Sequence, residues 1–254
     1  MNTISCGTDH IISFSYTQIK GSSCREKRKA SEDAVWIESA RDYLFCGLAD
    51  GQSGAEFGAE GGRVCLKAVA DYMETAGIRT LLDAPFPDEL PYAIVKTFRE
   101  KLLLLAKKKA VPFQSFASTL LAAAVDLKTG RFLLIHLGDG SAVGIPNLGE
   151  PVIISAPDRG LTSCHTWLTT SDCAVFHLRI SFGTLENQKR LLLLSDGAVC
   201  FCRNRDIPWR VKELLKNGSQ RELSEYLMQS NPGDDATCII LDYADRNEGH
   251  QEKY

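Results

Sequence analysis

Four apolar runs in this chain meet aspartate at one end. Asp50 closes Tyr43-Leu-Phe-Cys-Gly-Leu-Ala-Asp50, and Asp139 closes Arg131-Phe-Leu-Leu-Ile-His-Leu-Gly-Asp139. Asp196 closes Arg190-Leu-Leu-Leu-Leu-Ser-Asp196, while Asp234 and Asp235 open Asp-Asp-Ala-Thr-Cys-Ile-Ile-Leu. Short apolar runs bounded by Gly and Asp read as buried strands. A carboxylate at a strand end leaves the core where the backbone turns. Several such ends brought together repel one another unless cations sit between them, and hard divalent cations take oxygen ligands. The chemistry indicated is a Mg²⁺ or Mn²⁺ site assembled from several strands. Asp-Gly is also a common turn dipeptide. One such Asp alone reads most simply as a turn residue; three Asp-Gly strand ends and one Asp-Asp strand start favour the cation site.

The rest of the sequence supplies elements to carry these ends. Strands are expected at 11–19, 33–38, 43–49, 117–125, 131–137, 142–145, 152–154, 173–179, 190–195 and 236–243. Asp126-Leu-Lys-Thr-Gly130 makes a hairpin turn between two of them. Gly54 to Ala76 takes helical periodicity in its second half, with Val64, Ala68, Val69 and Tyr72 on one face. A proline-bearing loop (Pro85, Pro87, Pro91) leads to an amphipathic helix over 92–109, whose closing lysines suit the helix dipole. Short helices are expected at 208–216 and 219–229. Residues 155–170 are irregular and placed to cover a site, and the polar end Ala244–Tyr254 reads as a frayed tail. Hairpin-linked strands with helices in two blocks argue for antiparallel sheets and an α+β fold. Residues 1–243 read as one domain.

Composition narrows the function. The chain has 254 residues, 44% of them hydrophobic, and a net charge of −3, so it offers no electrostatic case for nucleic acid. Lys27-Arg28-Lys29 and Lys107-Lys108-Lys109 are short solvated patches. No apolar stretch approaches a membrane span, and the first residues do not form a signal peptide. The nine cysteines are odd in number and irregularly spaced; Cys46, Cys65 and Cys238 lie inside apolar runs and read as reduced core residues. A cytoplasmic monomer is the expectation.

Six short motifs occur in a fixed order: Arg28-Lys-Ala-Ser-Glu-Asp33, Asp50-Gly-Gln-Ser-Gly54, Phe116-Ala-Ser-Thr-Leu120, Leu137-Gly-Asp-Gly140, Leu194-Ser-Asp-Gly197 and Gly233-Asp-Asp-Ala-Thr237. The set resembles the metal-dependent serine/threonine phosphatases of the protein phosphatase 2C (PPM) type, most of all bacterial members, from about Ser13 to Tyr243. The resemblance implies a four-layer α-β-β-α sandwich of two antiparallel sheets flanked by helices. It implies that Asp50 bridges two Mn²⁺ or Mg²⁺ ions, with the Gly51 carbonyl on one of them. Asp196 and Asp234 would complete the opposite metal, and Glu32 and Asp33 would serve the other, directly or through water. Asp139 matches a position that helps hold a third, weaker metal. Arg28 matches the arginine that grips the substrate phosphate. The implied reaction is phosphomonoester hydrolysis by a water held between two metals, which acidify it and aim it in line with the leaving oxygen. Implied partners are phosphoserine and phosphothreonine proteins and a cognate kinase.

The sequence departs from the family pattern at three positions. Gln52 stands where the family loop carries His or Met, and a glutamine cannot serve as a general acid. Gly140-Ser141 replaces a Ser-Arg pair, so that arginine is missing, and Ser31 replaces a common Asn. These changes motivate an alternative: a catalytically weak or inactive family member that binds phosphoproteins or regulates a kinase. Other chemistries fit less well. Cys173-Ala-Val-Phe-His-Leu-Arg179 has the Cys-x5-Arg spacing of cysteine phosphatases but none of the glycines a phosphate-wrapping loop needs. No phosphate-binding loop of the NTPase type is present. His136, inside an apolar run, reads as a hydrogen-bonded core residue, and His165 as a surface one.

Overall fold

The computed structural model describes residues 2–7, 10–22, 30–40, 42–83, 89–160, 166–186, 188–198, 200–202 and 206–245. Two antiparallel sheets pack face to face. One runs β1 (Asn2–Cys6), β2 (His10–Ile19), β11 (Ala236–Asp245), β10 (Gln188–Leu194), β7 (Ser141–Pro146) and β8 (Val152–Ser155), in that spatial order. The other runs β3 (Asp33–Ser39), β4 (Tyr43–Asp50), β5 (Leu120–Asp126), β6 (Arg131–Leu137) and β9 (Arg179–Thr184). Helices α1 (Gly58–Ala76), α2 (Ile78–Asp83) and α3 (Leu90–Lys109) cover the outer face of the second sheet. Helices α5 (Trp209–Asn217) and α6 (Gln220–Gln229) cover the outer face of the first. This is the sandwich that the sequence motifs imply.

The layering explains the unbroken apolar runs. Strand side chains alternate between faces, so a strand with one wet face shows alternating polarity, and one buried on both faces does not. On β4, Leu44, Cys46 and Leu48 point between the sheets, while Tyr43, Phe45 and Ala49 point at the helices. On β10, Leu191 and Leu193 face the inter-sheet core, and Leu192 and Leu194 face α5 and α6. Cys46, Cys65 and Cys238 are buried free thiols within this packing, and burial pushes the Cys46 thiol up to about 12.

Helix ends follow from their sequences. Pro91 sits in the first turn of α3, Lys107, Lys108 and Lys109 in the last, and Ala110 closes it in the left-handed region at φ 55°. Ser219 and Glu222 form a capping box that starts α6.

Several local expectations need correction. Residues 173–179 are not a strand: Ala174–His177 is a helical turn, α4, and the strand begins only at Arg179. Ala174 is buried while Phe176, two residues on, stays largely in solvent, which a strand face would not allow. Strand β5 begins at Leu120 rather than at 117; Phe116 ends a 3-10 turn, and Ala117–Thr119 lie against the site. Ala244 and Asp245 belong to β11, paired with Ile11 and His10, and are not tail. Strand β1 and helix α2 are additions.

Candidate active site

All the aspartates singled out from the sequence lie at one end of the sandwich, where strands of both sheets terminate. Asp33 opens β3 and faces Asp50, the last residue of β4, as its cross-strand partner. Asp50 is tied to the next strand by two bonds: its N–H donates to Thr119 Oγ1 (2.9 Å), and its carbonyl accepts the Thr119 N–H (2.8 Å). Asp139 sits in the β6–β7 connection after Gly138, whose φ of 119° suits glycine. Asp196 follows β10 after Ser195, and Asp234 leads into β11. A cleft of about 390 Å³ is lined by Asp50, Gly51, Asp139, Asp196 and Asp234, with Gln52, Ser53, Thr119, Thr166, Leu168 and Ser171 completing its walls.

The glycines after these aspartates are present for close packing. Gly51 and Gly197 have no positive φ. A Cβ on Gly51 would lie 2.7 Å from the Glu32 carbonyl oxygen, and one on Gly197 would lie 2.0 Å from that of Asp235. The Asp-Gly pairs are thus places where backbone meets backbone beside a carboxylate, which removes the simple turn reading.

Asp33 stands behind the cleft, 4% exposed. Its Oδ2 accepts from Thr237 Oγ1 (2.5 Å) and Ser195 Oγ (3.2 Å). Burial pushes its carboxyl up to about 7, reinforced by the charges of Asp235 and Asp196 and opposed by the Thr237 and Ser195 donors. Burial, then the charges of Asp33 and Asp196, raises Asp50 well above the usual carboxylate range. Asp196 is raised by burial, with Asp139 and Asp234 adding to it. Among the described residues, no Lys or Arg forms an ion pair with any of these five aspartates.

This arrangement is a test of fit for a cation. Buried carboxylates that crowd one another either take up protons or gain counter-ions. Asp33 Oδ1 and Asp196 Oδ1 are buried with no hydrogen-bond partner, which leaves an oxygen on each for a hard cation. No three of the site carboxylates bring ligand atoms within 4.8 Å of one another; among the described residues only Glu38, Asp71 and Glu74, on the surface, do so. That surface group is bridged by its own Lys67. The donor set of the cleft, all oxygen and mostly carboxylate, fits Mg²⁺ or Mn²⁺.

The remaining candidate residues divide. Glu32 lines a neighbouring hollow with Ala30, Ser31 and the start of α1, and is not among the residues of the cleft wall. Arg28 and His165 lie outside the described residues. His136 is a core residue as expected: it is 1% exposed, and its Nδ1 lies 2.7 Å from Ser155 Oγ and 2.9 Å from Arg179 Nη2. Thr166 and Leu168, in the 155–170 segment, do border the cleft. Ser195, Thr237, Thr119 and Asp235 hold the site together and had no assigned role in the sequence, although all four sit inside the quoted motifs.

The family model of protein phosphatase 2C matches residues 20–230. No curated protein matches the sequence at a significant level. Among solved structures, the serine/threonine phosphatase Stp1 from Staphylococcus aureus is 17% identical with a TM-score of 0.69, covering 94% of this chain and 97% of that one. A bacterial serine phosphatase is 17% identical with a TM-score of 0.65, covering 91% and 97%. The catalytic domain of the serine/threonine phosphatase PstP, in complex with two manganese ions, is 18% identical with a TM-score of 0.58, covering 93% and 100%. At these identities the likeness to the solved structures is one of fold.

Proposed function

The chain belongs to the protein phosphatase 2C family, and on that premise we propose that it is a metal-dependent phosphatase acting on phosphoserine and phosphothreonine in proteins. The observation that carries this reading is the convergence of Asp50, Asp139, Asp196 and Asp234 on one cleft, with Asp33 buried behind them and no basic side chain among the described residues neutralising the set.

In this reading Asp50 and the Gly51 carbonyl would hold two Mn²⁺ or Mg²⁺ ions in the cleft. Asp196 and Asp234 would help hold one ion, and Asp33 and Glu32 the other, directly or through water. Asp139 would help hold a third, weaker ion. When bound there, such cations supply an acidified attacking water and balance the charge of the phosphoryl oxygens. The chain's own residues arrange the rest. Thr237 and Ser195 hold one oxygen of Asp33 and leave the other buried without a hydrogen-bond partner. Two bonds between Asp50 backbone and Thr119, one to its hydroxyl and one from its N–H, fix where the Asp50 carboxylate stands. Arg28, with its planar fork, is assigned to the substrate phosphate. Gln52 borders the cleft without a dissociable proton, so protonation of the leaving group falls to water or to another group. A cognate kinase would supply the phosphoprotein. No helix among the described residues is long and apolar enough to cross a membrane, and we place the protein in the cytoplasm as a monomer.

Gln52 in the cleft wall favours a second reading, a weak or inactive family member that binds phosphoproteins. Phosphate release from a phosphothreonine peptide separates the two. The first reading expects turnover that rises with Mn²⁺ or Mg²⁺, disappears in EDTA and is lost in Asp196→Asn. Peptide binding without turnover at saturating metal would replace it with the second.

A further inference from the structure

The site's carboxylates come from both sheets, and strand pairing does not join one sheet to the other among the described residues. Asp33 and Asp50 belong to the sheet of β3 and β4, while Asp196 and Asp234 belong to the sheet of β10 and β11. A layer of apolar side chains separates the two sheets, and that layer sets their distance only loosely along the strands. Something directional has to fix the register at the end where the carboxylates meet.

Asp235 is one of the groups that do so, beside the Thr237 and Ser195 hydroxyls on Asp33 Oδ2 and the Gln18 amide on the Asp33 carbonyl. It is 1% exposed, and each of its carboxylate oxygens accepts a backbone N–H. Oδ1 accepts from Gly21 (2.7 Å), just beyond β2 of one sheet; Oδ2 accepts from Glu32 (2.5 Å), the residue that leads into β3 of the other. Gly21 lies so close that a Cβ there would stand 2.2 Å from the Asp234 carbonyl carbon. The carboxylate therefore joins three backbone segments at one point: the exit of β2, the entry of β3 and the entry of β11. Charge-assisted bonds to backbone N–H are the stronger kind, and burial strengthens them further. With both oxygens on backbone donors, Asp235 is not itself placed as a cation ligand, unlike its neighbour Asp234 in the cleft wall.

We propose that Asp235 is a positioning residue for the cation site: it holds Glu32 and Asp33 at the correct offset from Asp234 across the seam between the sheets. The proposal rests on the metal-dependent reading above. Outer partners that orient metal ligands typically change metal affinity about 10–100-fold when removed.

The test is direct Mn²⁺ binding, read from the electron paramagnetic resonance signal of free Mn²⁺, on the full chain and on Asp235→Ala and Asp235→Asn. The expected result is a Kd raised about 10–100-fold in Asp235→Ala and by a smaller factor in Asp235→Asn, which keeps one acceptor oxygen. The KM for p-nitrophenyl phosphate at saturating Mn²⁺ should stay within about twofold of wild type, because Asp235 touches no substrate. Amide exchange should accelerate at Gly21 and Glu32 while Leu193 and Ile239, paired in the β10–β11 ladder, keep their protection. A general fall in stability would not produce that split. If Asp235→Ala does not fold, the same measurements on Asp235→Asn decide the matter. Wild-type Mn²⁺ affinity in a folded variant overturns the proposal alone. A wild-type protein that binds no Mn²⁺ overturns the metal-dependent reading and the proposal together.

Discussion

Asp33→Asn should stabilise the protein in the absence of metal and weaken it in the presence of metal, with a pH dependence that follows from burial. In the folded chain the Asp33 carboxyl is pushed from its ordinary 3.8 up to about 7. Between those values the folded state holds a proton that the unfolded state has released. Stability therefore falls as pH rises through this window, and the loss is complete above the folded value. At 1.36 kcal/mol for each pH unit between the two values, the penalty at pH 8 is about 4 kcal/mol. Asparagine has no proton to lose and can still accept from Thr237 and Ser195. The stability difference between variant and wild type in EDTA should therefore grow from near zero at pH 4 to about 4 kcal/mol at pH 8, a melting difference on the order of 10 °C for a chain of this size. His136 works in the opposite direction, since burial and then Arg179 lower its pKa well below 6.5 and its neutral form is favoured as pH rises. It is common to both proteins and cancels in the difference. Saturating Mn²⁺ should invert the order at pH 8, because the wild-type carboxylate then has its counter-ion. Thermal or urea unfolding in EDTA across that pH range makes the measurement. A difference that stays constant from pH 4 to pH 8 would refute the reasoning.

Other consequences follow from the same packing. Gly197→Ala forces a Cβ against the Asp235 carbonyl and should cost roughly 3 kcal/mol or more together with Mn²⁺ affinity, checked by unfolding and titration. Thr237→Val removes a donor from buried Asp33 and should cost about 1–3 kcal/mol with metal bound, seen as a lowered urea midpoint at unchanged slope. Arg190, buried between Asp242 and the carbonyls of Leu215 and Gly218, ties β10 to β11 and α5; Arg190→Ala should destabilise by about 3–5 kcal/mol without altering the Mn²⁺ Kd of the folded fraction. Mn²⁺ at a hundred times its Kd should stabilise the wild type by about 2.7 kcal/mol, an increment that Asp50→Asn abolishes.

The sequence was most legible where strands are buried on both sides. The runs over β4 and β10 are apolar throughout because each lies between a sheet and a helical layer. The aspartates at their ends were legible for the same reason, since a charge beside such a run has to lie where the core stops. Edge elements were harder. Strand β1 pairs on one side only and is mostly exposed, and β9 is half-buried throughout, so neither shows a continuous apolar run. The turn at Ala174–His177 has four residues, too few to distinguish the two periods. The seam between the sheets was not legible at all. Asp235 reads as one more acidic residue in an Asp-Asp pair, and only the approach of Gly21 and Glu32, both more than 200 residues away in the chain, gives its oxygens their work. Ser195 and Thr237 are similar: their hydroxyls matter because two strand ends bring them to Asp33.

The most direct test of the cation-site account is p-nitrophenyl phosphate hydrolysis by the purified protein as a function of Mn²⁺ concentration, with Asp50→Asn alongside. Saturable, EDTA-sensitive turnover in the wild type and none in a folded Asp50→Asn is the expected result. Turnover that is independent of Mn²⁺ and Mg²⁺, or that survives unchanged in Asp50→Asn, would contradict the account.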